Sequence, residues 1–271
     1  MGRLSGRTAL VTGASRGLGA AIAATLAEHG AHVAAVARTL EPAEGQAGSL
    51  AETVAQITAA GGEATAFAAD LSDPGNCDDL CARVAAEVGA PTILVNSAAV
   101  TFLRPLADFP LRRVQVMLNL HLLTPLRLAQ LVAPGMRERG AGWIVNLTSV
   151  AALQPEGPPF SEFDTSAGFA VYGTVKSALD RLTGSLAAEF NADNIAVNAA
   201  APLLPVRTAG AAALDLAQGD TEEIGLICRT ALELCSGNPA VLTGRIVQTS
   251  PFLAALDAGE IAGARTPDIT D

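Results

Sequence analysis

Short apolar runs alternate with amphipathic stretches along the whole chain. The runs are built from Ala, Val, Leu and Ile, which is typical of buried strands. The stretches between them repeat apolar residues at helical intervals, which is typical of helices packed on a sheet. The sequence therefore predicts strands at 8–12, 31–37, 63–69, 91–95, 143–147, 194–198 and 242–248. Helices are predicted at 20–29, 49–60, 74–88, 111–139, 170–190, 209–217 and 221–234.

This alternation predicts an α/β fold, a single doubly wound parallel sheet of about seven strands with helices on both faces. Neither a linker nor an internal repeat interrupts the chain, so residues 1–271 are interpreted as one domain. Proline and glycine interrupt residues 154–166, and this segment is predicted to be an irregular loop.

A glycine-rich turn follows the first predicted strand and precedes the first predicted helix. Its glycines have the spacing Gly-x3-Gly-x-Gly. Glycines let backbone N–H groups approach an anion closely, and the helix N-terminus adds its positive end, so the turn is predicted to bind phosphate. The alternative is a purely structural turn. The predicted cofactor contacts are Gly13, Ser15, Arg16, Gly17, Leu18 and Gly19.

The end of the second predicted strand bears on the choice of cofactor. An acidic residue near this point often binds the ribose 2′-OH of a dinucleotide, but here Ala37 is followed by Arg38. Arg38 and Arg16 could both pair with a 2′-phosphate through their bidentate guanidinium groups. The sequence therefore favours NADP(H), with NAD(H) as the alternative if Arg38 is only a solvated surface charge.

Further cofactor contacts are predicted where the third and fourth strands end. Asp70 could accept a hydrogen bond from an adenine amino group, and Leu71 follows it. The small residues of Asn96-Ser97-Ala98-Ala99 would let a cofactor lie close to the backbone, so Asn96 and Ala98 are also predicted contacts.

Tyr172 is the only tyrosine and Lys176 the only lysine of the chain. Four residues apart on a helix, they share one face. A nearby ammonium favours the ionised form of a phenol, so the pair could act as a general acid and base. Arg occupies every other Lys/Arg position, which indicates that the compact charge of lysine is needed at position 176.

Composition limits the other functions. The net charge of −10 makes a nucleic-acid partner unfavourable. Cys77, Cys81, Cys228 and Cys235 have no metal-site pattern and are interpreted as buried or half-buried reduced thiols, so no metal is predicted. We see no signal peptide and no uninterrupted apolar run that would span a bilayer, and we expect a cytoplasmic protein without membrane association.

Taken together, these motifs resemble the short-chain dehydrogenase/reductase superfamily. The matches run in order along nearly the whole chain: Thr12-Gly13-x3-Gly17-x-Gly19, Asp70, Asn96, Asn119, Ser149 and Tyr172-x3-Lys176. The resemblance implies a seven-stranded Rossmann fold, a nicotinamide cofactor, hydride transfer between an alcohol and a ketone or aldehyde, and a homodimer or homotetramer.

The resemblance also implies residue roles. Tyr172 would exchange the proton with the substrate oxygen, and Lys176 would lower the pKa of Tyr172 and bind ribose hydroxyls. Ser149 would hydrogen-bond the substrate oxygen, and Asn119 would hold a water that links Lys176 to solvent. Cofactor contacts of the carboxamide are expected at Val206 and Thr208. His29, His32 and His121 show no catalytic spacing and are given no role.

Several positions depart from the family pattern. Tyr172 follows Ser149 by 23 positions, far more than is usual, and the loop at 154–166 accounts for the excess. That loop could be a lid, a pocket wall or a passive insertion. Pro202-Leu203 replaces a Pro-Gly pair, and Leu cannot adopt positive φ cheaply, so the local backbone must differ.

We therefore expect an NADP(H)-dependent oxidoreductase that acts on a secondary alcohol or ketone, or an aldehyde, of small to medium and mostly apolar type. One alternative is a lyase, dehalogenase or epimerase on the same scaffold. Another is a protein that binds a nucleotide without catalysis.

Overall fold

Seven parallel strands form one sheet in the order β3-β2-β1-β4-β5-β6-β7. The computed structural model describes residues 2–42, 44–45, 47–165, 168–214, 216 and 219–264. The strands are β1 (Thr8–Thr12), β2 (His32–Ala37), β3 (Glu63–Ala68), β4 (Ile93–Asn96), β5 (Gly142–Leu147), β6 (Ile195–Ala201) and β7 (Ile246–Gln248). The predicted α/β fold with a doubly wound sheet is confirmed, while the single-domain interpretation stays a prediction.

Helices connect the strands and cover both faces of the sheet. They are α1 (Gly17–Glu28), α2 (Leu50–Ala59), α3 (Cys77–Glu87), α4 (Leu111–Leu118), α5 (Thr124–Arg139), α6 (Glu162–Thr165), α7 (Phe169–Phe190), α8 (Ala209–Ala212), α9 (Ile224–Ser236) and α10 (Thr249–Asp257). A π-helical turn, Asn119–Leu123, joins α4 to α5.

Two hydrophobic cores lie on opposite faces of the sheet. Successive residues of β1 show the alternation, because Ala9 and Val11 belong to one core and Leu10 belongs to the other. Helices α1, α2, α9 and α10 cover the first core, and α3, α5 and α7 cover the second. Burial on both faces explains why the strands read as continuous apolar runs. The cysteines are free thiols, buried except for half-buried Cys81.

The order of the strands reverses at β1. Strands β2 and β3 are added on one side of β1, and β4 to β7 are added on the other side. Ligands of open α/β sheets bind in the crevice at the carboxyl ends of such strands. Thr12 fixes this point, because its Oγ1 accepts hydrogen bonds from the backbone N–H groups of Ser97 and Ala98, both at 3.0 Å. The ends of β1 and β4 are therefore held together where the crevice begins.

A chain of buried polar groups links the centre of the sheet to α7. Asn96 Nδ2 donates to Asn146 Oδ1 at 2.8 Å, and Asn146 Nδ2 donates to Thr183 Oγ1 at 2.8 Å. Thr183 Oγ1 in turn donates to the Leu179 carbonyl at 2.8 Å. These bonds connect β4, which carries Asn96, with β5, which precedes Ser149, and with α7, which carries Tyr172 and Lys176.

The structure corrects several predicted elements. The helix expected at 111–139 contains the π turn, in which the Thr124 N–H bonds the Asn119 carbonyl five residues earlier. Pro125 lacks the N–H that an α-helix would offer to the His121 carbonyl, which accounts for the change of register. Helix α6 lies inside the segment predicted to be irregular, and α10 was not predicted.

The helical stretch Leu111–Arg139 is long and apolar enough to cross a membrane by length and composition alone. That criterion allows up to two charged residues, such as Arg127, within the stretch, so it differs from the uninterrupted apolar run whose absence the sequence analysis noted. In the structure, Leu128, Ala129 and Met136 of this stretch are buried in the second core, against β4 and β5. Its apolar character thus has an explanation in the packing of the sheet.

Replacing Thr183 by valine tests the buried polar chain. Valine keeps the shape but leaves Asn146 Nδ2 without its acceptor, which should cost about 1–3 kcal/mol of unfolding free energy. For a chain of this size, thermal unfolding should shift downward by roughly 2–4 °C for each kcal/mol.

Thr183→Ser, which keeps the hydroxyl, and Ser185→Ala, at an exposed hydroxyl of the same helix, serve as controls. A valine variant as stable as the Ser185→Ala control would show that the chain contributes nothing to stability.

Candidate active site

The glycine turn lies at the carboxyl end of β1 and is shaped by close backbone contacts. Gly13 has φ +69°, and a Cβ at this position would lie 2.8 Å from Ala98 Cα. Gly17 has φ +57°, and a Cβ there would lie 3.6 Å from the Thr208 side chain. A larger residue would therefore clash at position 13 and would be strained at position 17.

The same turn presents donors to an anion. Helix α1 begins at Gly17 with no acidic residue in its first turn, and Arg16 stands immediately before it. The N–H groups at the N-terminus of α1 and the exposed guanidinium of Arg16 can both bind a phosphate. Arg16 Nη1 also donates to the Ala47 carbonyl at 3.4 Å, which places the arginine beside the loop after β2. The residues present thus fit a dinucleotide with phosphate groups at this turn.

Arg38 and Asp70 lie at neighbouring strand ends and influence each other. Arg38 is exposed, and Asp70 accepts hydrogen bonds from the Ser72 backbone N–H at 3.0 Å and the Ser72 hydroxyl at 2.8 Å. The bond from the Ser72 N–H lowers the pKa of Asp70, and the charge of Arg38 lowers it further. Arg38 is thus close to one carboxylate while its exposed charge remains accessible to an anion.

Two of the predicted cofactor contacts have other tasks in the structure. The Leu71 side chain is buried in the second core, so only its backbone could meet a cofactor. The Asn96 amide donates to Asn146 inside the sheet, as described above. Ala98 packs against Gly13 at the turn, as the prediction of a close approach requires. Cofactor contact at these three residues remains a prediction.

Ser149, Tyr172 and Lys176 meet where β5 ends. Ser149 follows β5 and caps the 3₁₀ turn Val150–Ala152, since its Oγ accepts from the Ala151 N–H at 3.2 Å. Helix α7 brings Tyr172 and Lys176 against this turn, and Lys176 Nζ lies 5.9 Å from the centroid of the Tyr172 ring. The predicted trio is therefore brought together.

A glycine permits this close packing of α7. A Cβ at Gly173 would lie 2.5 Å from the Ala151 carbonyl oxygen, closer than any real contact. Lys176 Nζ, on the next turn of the helix, donates to the Leu147 carbonyl at 2.6 Å. The helix is thus fixed against the end of β5 by a glycine contact and by a charged hydrogen bond.

Burial sets the charge states of the pair. Burial raises the pKa of Tyr172, and hydrogen bonding with the side chains of Ser149 and Thr101 opposes this rise. Burial lowers the pKa of Lys176 to about 8, and the negative charge of Asp180 opposes this fall. The net direction for the Tyr172 pKa is upward, because desolvation of the phenolate outweighs the hydrogen bonds; a lowering of this pKa by Lys176 stays a prediction.

Asp180 lies one helical turn beyond Lys176 and is half-buried. Burial raises the pKa of Asp180, while the Thr148 hydroxyl and Lys176 lower it. Neither Asp180 Oδ1 nor Thr148 Oγ1 has a partner within hydrogen-bond distance and geometry in the part of the chain that the structure describes. Asp180 therefore acts on Lys176 through its charge rather than through a direct ion pair.

Asn119 lies at the start of the π turn, and both Nδ2 and Oδ1 of its side chain make a hydrogen bond. Its Nδ2 donates to the Ser72 carbonyl at 2.9 Å, and its Oδ1 accepts from Gln115 Nε2 at 2.7 Å. The amide thus ties the π turn to the loop after β3. The predicted water-holding role is not tested by these contacts and stays a prediction.

Sequence reasoning missed two residues beside Tyr172. The His121 ring lies edge-on to the Tyr172 ring, with centroids 6.0 Å apart and an angle of 85° between the planes. Thr101 reaches Tyr172 from the loop after β4. The sequence analysis gave His121 no role; the structure places its ring against the predicted catalytic phenol. A proline four residues after this histidine was the available signal of an irregular helix.

After β6, Pro202-Leu203 stands where the family pattern has a Pro-Gly pair, and contacts with Glu222 hold this segment. The Leu203 N–H donates to Glu222 Oε2 at 2.8 Å, and Val206 forms a parallel bridge with Glu222. Asn194 is the one non-glycine residue with positive φ in the described ranges, so Leu203 avoids that conformation. Leu203 therefore does not adopt the positive φ that is open to glycine, and a local backbone different from that of the family stays a prediction. Thr208 caps α8 by accepting from the Ala211 N–H at 3.1 Å and stands opposite Gly17.

The inserted segment lies beside Ser149. Helix α6 carries Phe163, which stacks on Phe169 at 4.7 Å between ring centroids. A cavity of about 280 Å³ lies between the insertion and the turn after Ser149; it is lined by Val150, Leu153, Gln154, Glu156, Phe163 and Asp164. The insertion therefore forms part of a pocket wall. Ser166, within the predicted loop, lies outside the described residues.

Solved structures share this architecture. A putative short-chain alcohol dehydrogenase from Sinorhizobium meliloti 1021 superposes with a TM-score of 0.79 at 34% identity, covering 93% of this chain and 98% of that one. A 3-oxoacyl (acyl-carrier-protein) reductase from Agrobacterium tumefaciens C58, solved with NADP bound, has a TM-score of 0.77 at 32% identity and covers 90% and 93%.

Curated relatives and a family model agree with these structures. A ketoacyl reductase from Nostoc sp. is 33% identical over 74% of this chain and 64% of its own length. The matched region spans between 58% and 64% of the length of the first four such relatives. The family model for short chain dehydrogenases matches residues 7–218. With the glycine turn and the Ser149, Tyr172 and Lys176 cluster at one sheet edge, the chain belongs to the short-chain dehydrogenase family.

Proposed function

We propose that the protein is an NADP(H)-dependent oxidoreductase that interconverts a secondary alcohol and a ketone, or reduces an aldehyde, of small to medium and mostly apolar type. The observation that carries the proposal is the convergence of Ser149, Tyr172 and Lys176 at the sheet edge that also holds the glycine turn. Tyr172 and Lys176 are unique in the chain, so no other phenol or alkyl ammonium can take their place.

The proposed chemistry assigns one task to each residue. When bound, the nicotinamide supplies or accepts the hydride. Tyr172 gives its phenolic proton to the substrate oxygen during reduction and takes it back during oxidation. Ser149 donates a hydrogen bond to the same oxygen and fixes the position of the carbonyl. Lys176, as an ammonium, stabilises the phenolate that forms when Tyr172 loses its proton.

Arg16 and Arg38 support the preference for NADP(H). Both are exposed near the glycine turn, and no carboxylate stands at the end of β2, where a ribose 2′-OH would be bound. The NADP-bound reductase with 32% identity is consistent with the same choice. Arg38 also lies near Asp70, so part of its charge is neutralised before any phosphate binds.

Apolar side chains near the site support a mostly apolar substrate. The exposed ones that follow β5 and β6 are Leu153, Phe160, Phe163, Leu203 and Leu204. Exposing so many large apolar residues around one edge is unfavourable unless a ligand or partner covers them. The cavity of about 280 Å³ beside Ser149 sets the scale of the group that would fit.

Tyr172→Phe tests the proposed proton transfer. Removing the hydroxyl should lower kcat for ketone reduction by about 10²–10⁴-fold, because no other general acid replaces it. Loss of the reduced-nicotinamide absorbance, followed with NADPH and a panel of ketones, gives the rate. Ser185→Ala, further along the same helix at a hydroxyl that bonds the Arg181 carbonyl, is the control. Turnover by the phenylalanine variant at the parent rate would refute the assignment.

Arg38→Ala tests the cofactor preference. The loss of a charged contact to the 2′-phosphate should lower kcat/KM for NADPH by the equivalent of about 1–3 kcal/mol and leave the value for NADH nearly unchanged. Arg139→Ala removes an exposed arginine at the opposite edge of the sheet and serves as the control. A parent enzyme that prefers NADH would contradict the proposal directly.

Asp180→Asn tests the charge balance of Lys176. Because Asp180 opposes the lowering of the Lys176 pKa, its neutralisation should bring that pKa from about 8 to a lower value. The shift should be roughly one pH unit, as expected for losing a nearby opposite charge. Since the charged lysine is the active form, the alkaline fall of kcat/KM for reduction should move to lower pH by the same amount.

The single lysine makes this measurement direct, since ¹³Cε-lysine labelling gives one side-chain resonance to titrate. Glu189→Gln, at an exposed carboxylate of the same helix, is the control. A Lys176 titration that is the same in the Asp180→Asn and Glu189→Gln variants would show that Asp180 does not influence Lys176.

A further inference from the structure

His121 is enclosed in the π turn between α4 and α5, with 1% of its surface exposed. Single π turns interrupt α-helices mostly where a side chain must be placed differently from the regular register. Here the π turn packs on α7, the helix that carries Tyr172 and Lys176. The irregular turn thus directs a buried imidazole toward the predicted catalytic pair.

One ring nitrogen of His121 binds the backbone of the loop after β4. Nε2 lies 2.8 Å from the Val100 carbonyl oxygen and 3.3 Å from the Val100 nitrogen. A carbonyl oxygen only accepts, and the contact to it is the shorter one, so Nε2 carries the hydrogen and donates. Nδ1 is then an unprotonated acceptor, and it has no hydrogen-bond partner among the described residues.

The imidazole is neutral in the working pH range. Burial lowers the pKa of His121 to about 3, and the positive charge of Lys176 contributes to this shift. The other ionisable groups of α7 near this point are Tyr172 and Asp180, while Arg113 of α4 is stacked on Phe102 at 4.6 Å. A second positive charge beside Lys176 would be strongly unfavourable, and the neutral Nε2–H tautomer avoids it.

His121 therefore contacts both the phenol ring of Tyr172 and the loop after β4 that carries Thr101. Its ring edge meets the phenol ring at 6.0 Å, within the range of favourable edge-to-face pairs. Its Nε2–H donates to the Val100 carbonyl, and the next residue is Thr101, whose hydroxyl acts to lower the pKa of Tyr172.

We propose that His121 is a positioning residue for Tyr172, which as a neutral imidazole fixes the phenol ring and, through Val100, the Thr101 hydroxyl beside it. The inference rests on the proposed function for its catalytic consequence, but its structural content can be measured on the phenol itself. Tyr172 is the only tyrosine of the chain, so ¹³Cζ-tyrosine labelling gives a single resonance to titrate.

The test compares His121→Phe with His121→Gln. Phenylalanine keeps the ring edge but cannot donate to Val100, whereas the glutamine amide can supply a donor at the place of Nε2. The Tyr172 pKa should rise in the phenylalanine variant, because the Thr101 hydroxyl is no longer held, and should stay near the parent value in the glutamine variant. His29→Phe is the control, because His29 is remote from the site and bonds the Thr25 carbonyl.

The rates should follow the same order. With saturating NADPH, kcat of His121→Phe should fall by about 10-fold to 100-fold, as expected when a catalytic group is misplaced by about 1 Å. The KM for NADPH should stay within about twofold, because a positioning defect acts on the chemical step rather than on cofactor binding. His121→Gln should recover most of the rate.

The outcomes separate this inference from the proposed function. A Tyr172 pKa that is unchanged in His121→Phe, or raised equally in a folded His121→Gln variant, would overturn the positioning role whatever the activity. A raised pKa in His121→Phe alone, with no turnover in the parent, would support the positioning role and refute the oxidoreductase proposal. If His121→Phe does not fold, Thr101→Val supplies the comparison, and its Tyr172 pKa must rise for the inference to survive.

Discussion

The buried ammonium of Lys176 is the constraint on which the candidate site depends. Only 4% of this residue is exposed, and a charge taken out of water must be compensated by hydrogen bonds or by an opposite charge. The Leu147 carbonyl provides a hydrogen bond at the end of β5, and the negative charge of Asp180 acts from the next turn of α7. Helix α7 must therefore lie close to β5, which the absence of a side chain at Gly173 allows.

The position of Tyr172 follows from this packing. Once α7 is fixed by Lys176, the phenol one turn earlier faces the turn that Ser149 caps. The cofactor side is fixed independently, because Thr12 holds the ends of β1 and β4 together and brings Ala98 against Gly13. The buried chain from Asn96 through Asn146 to Thr183 joins the two halves, so the glycine turn and the helix that carries Tyr172 are connected by hydrogen bonds through the sheet.

Much of the fold could be predicted from the sequence because the strands are buried on both faces. Continuous apolar runs gave β1 with its observed ends and the other strands within a few residues. The failures involve proline. Helix α10 was not predicted; Pro251 lies in its first turn, where proline is tolerated. Pro125 changes the hydrogen bonding of a helix whose hydrophobic pattern is uninterrupted, so periodicity alone cannot show the π turn.

The candidate site also contains residues that the sequence predicted and residues that it did not. Ser149, Tyr172, Lys176 and the glycine turn were found because their identities and spacing carry the signal. Thr101, His121 and Asp180 were not found, because their contacts join parts of the chain that are distant in sequence.

The missed residues also bear on the pKa of Tyr172. A spacing argument counts the charge of Lys176 but not the desolvation of the phenolate, which raises the pKa. Two hydroxyls, from Ser149 and Thr101, offset that cost, and a buried imidazole holds one of the loops that supply them. The sequence pattern identifies which residues are buried, whereas the charge state of the phenol depends on which polar atoms meet there.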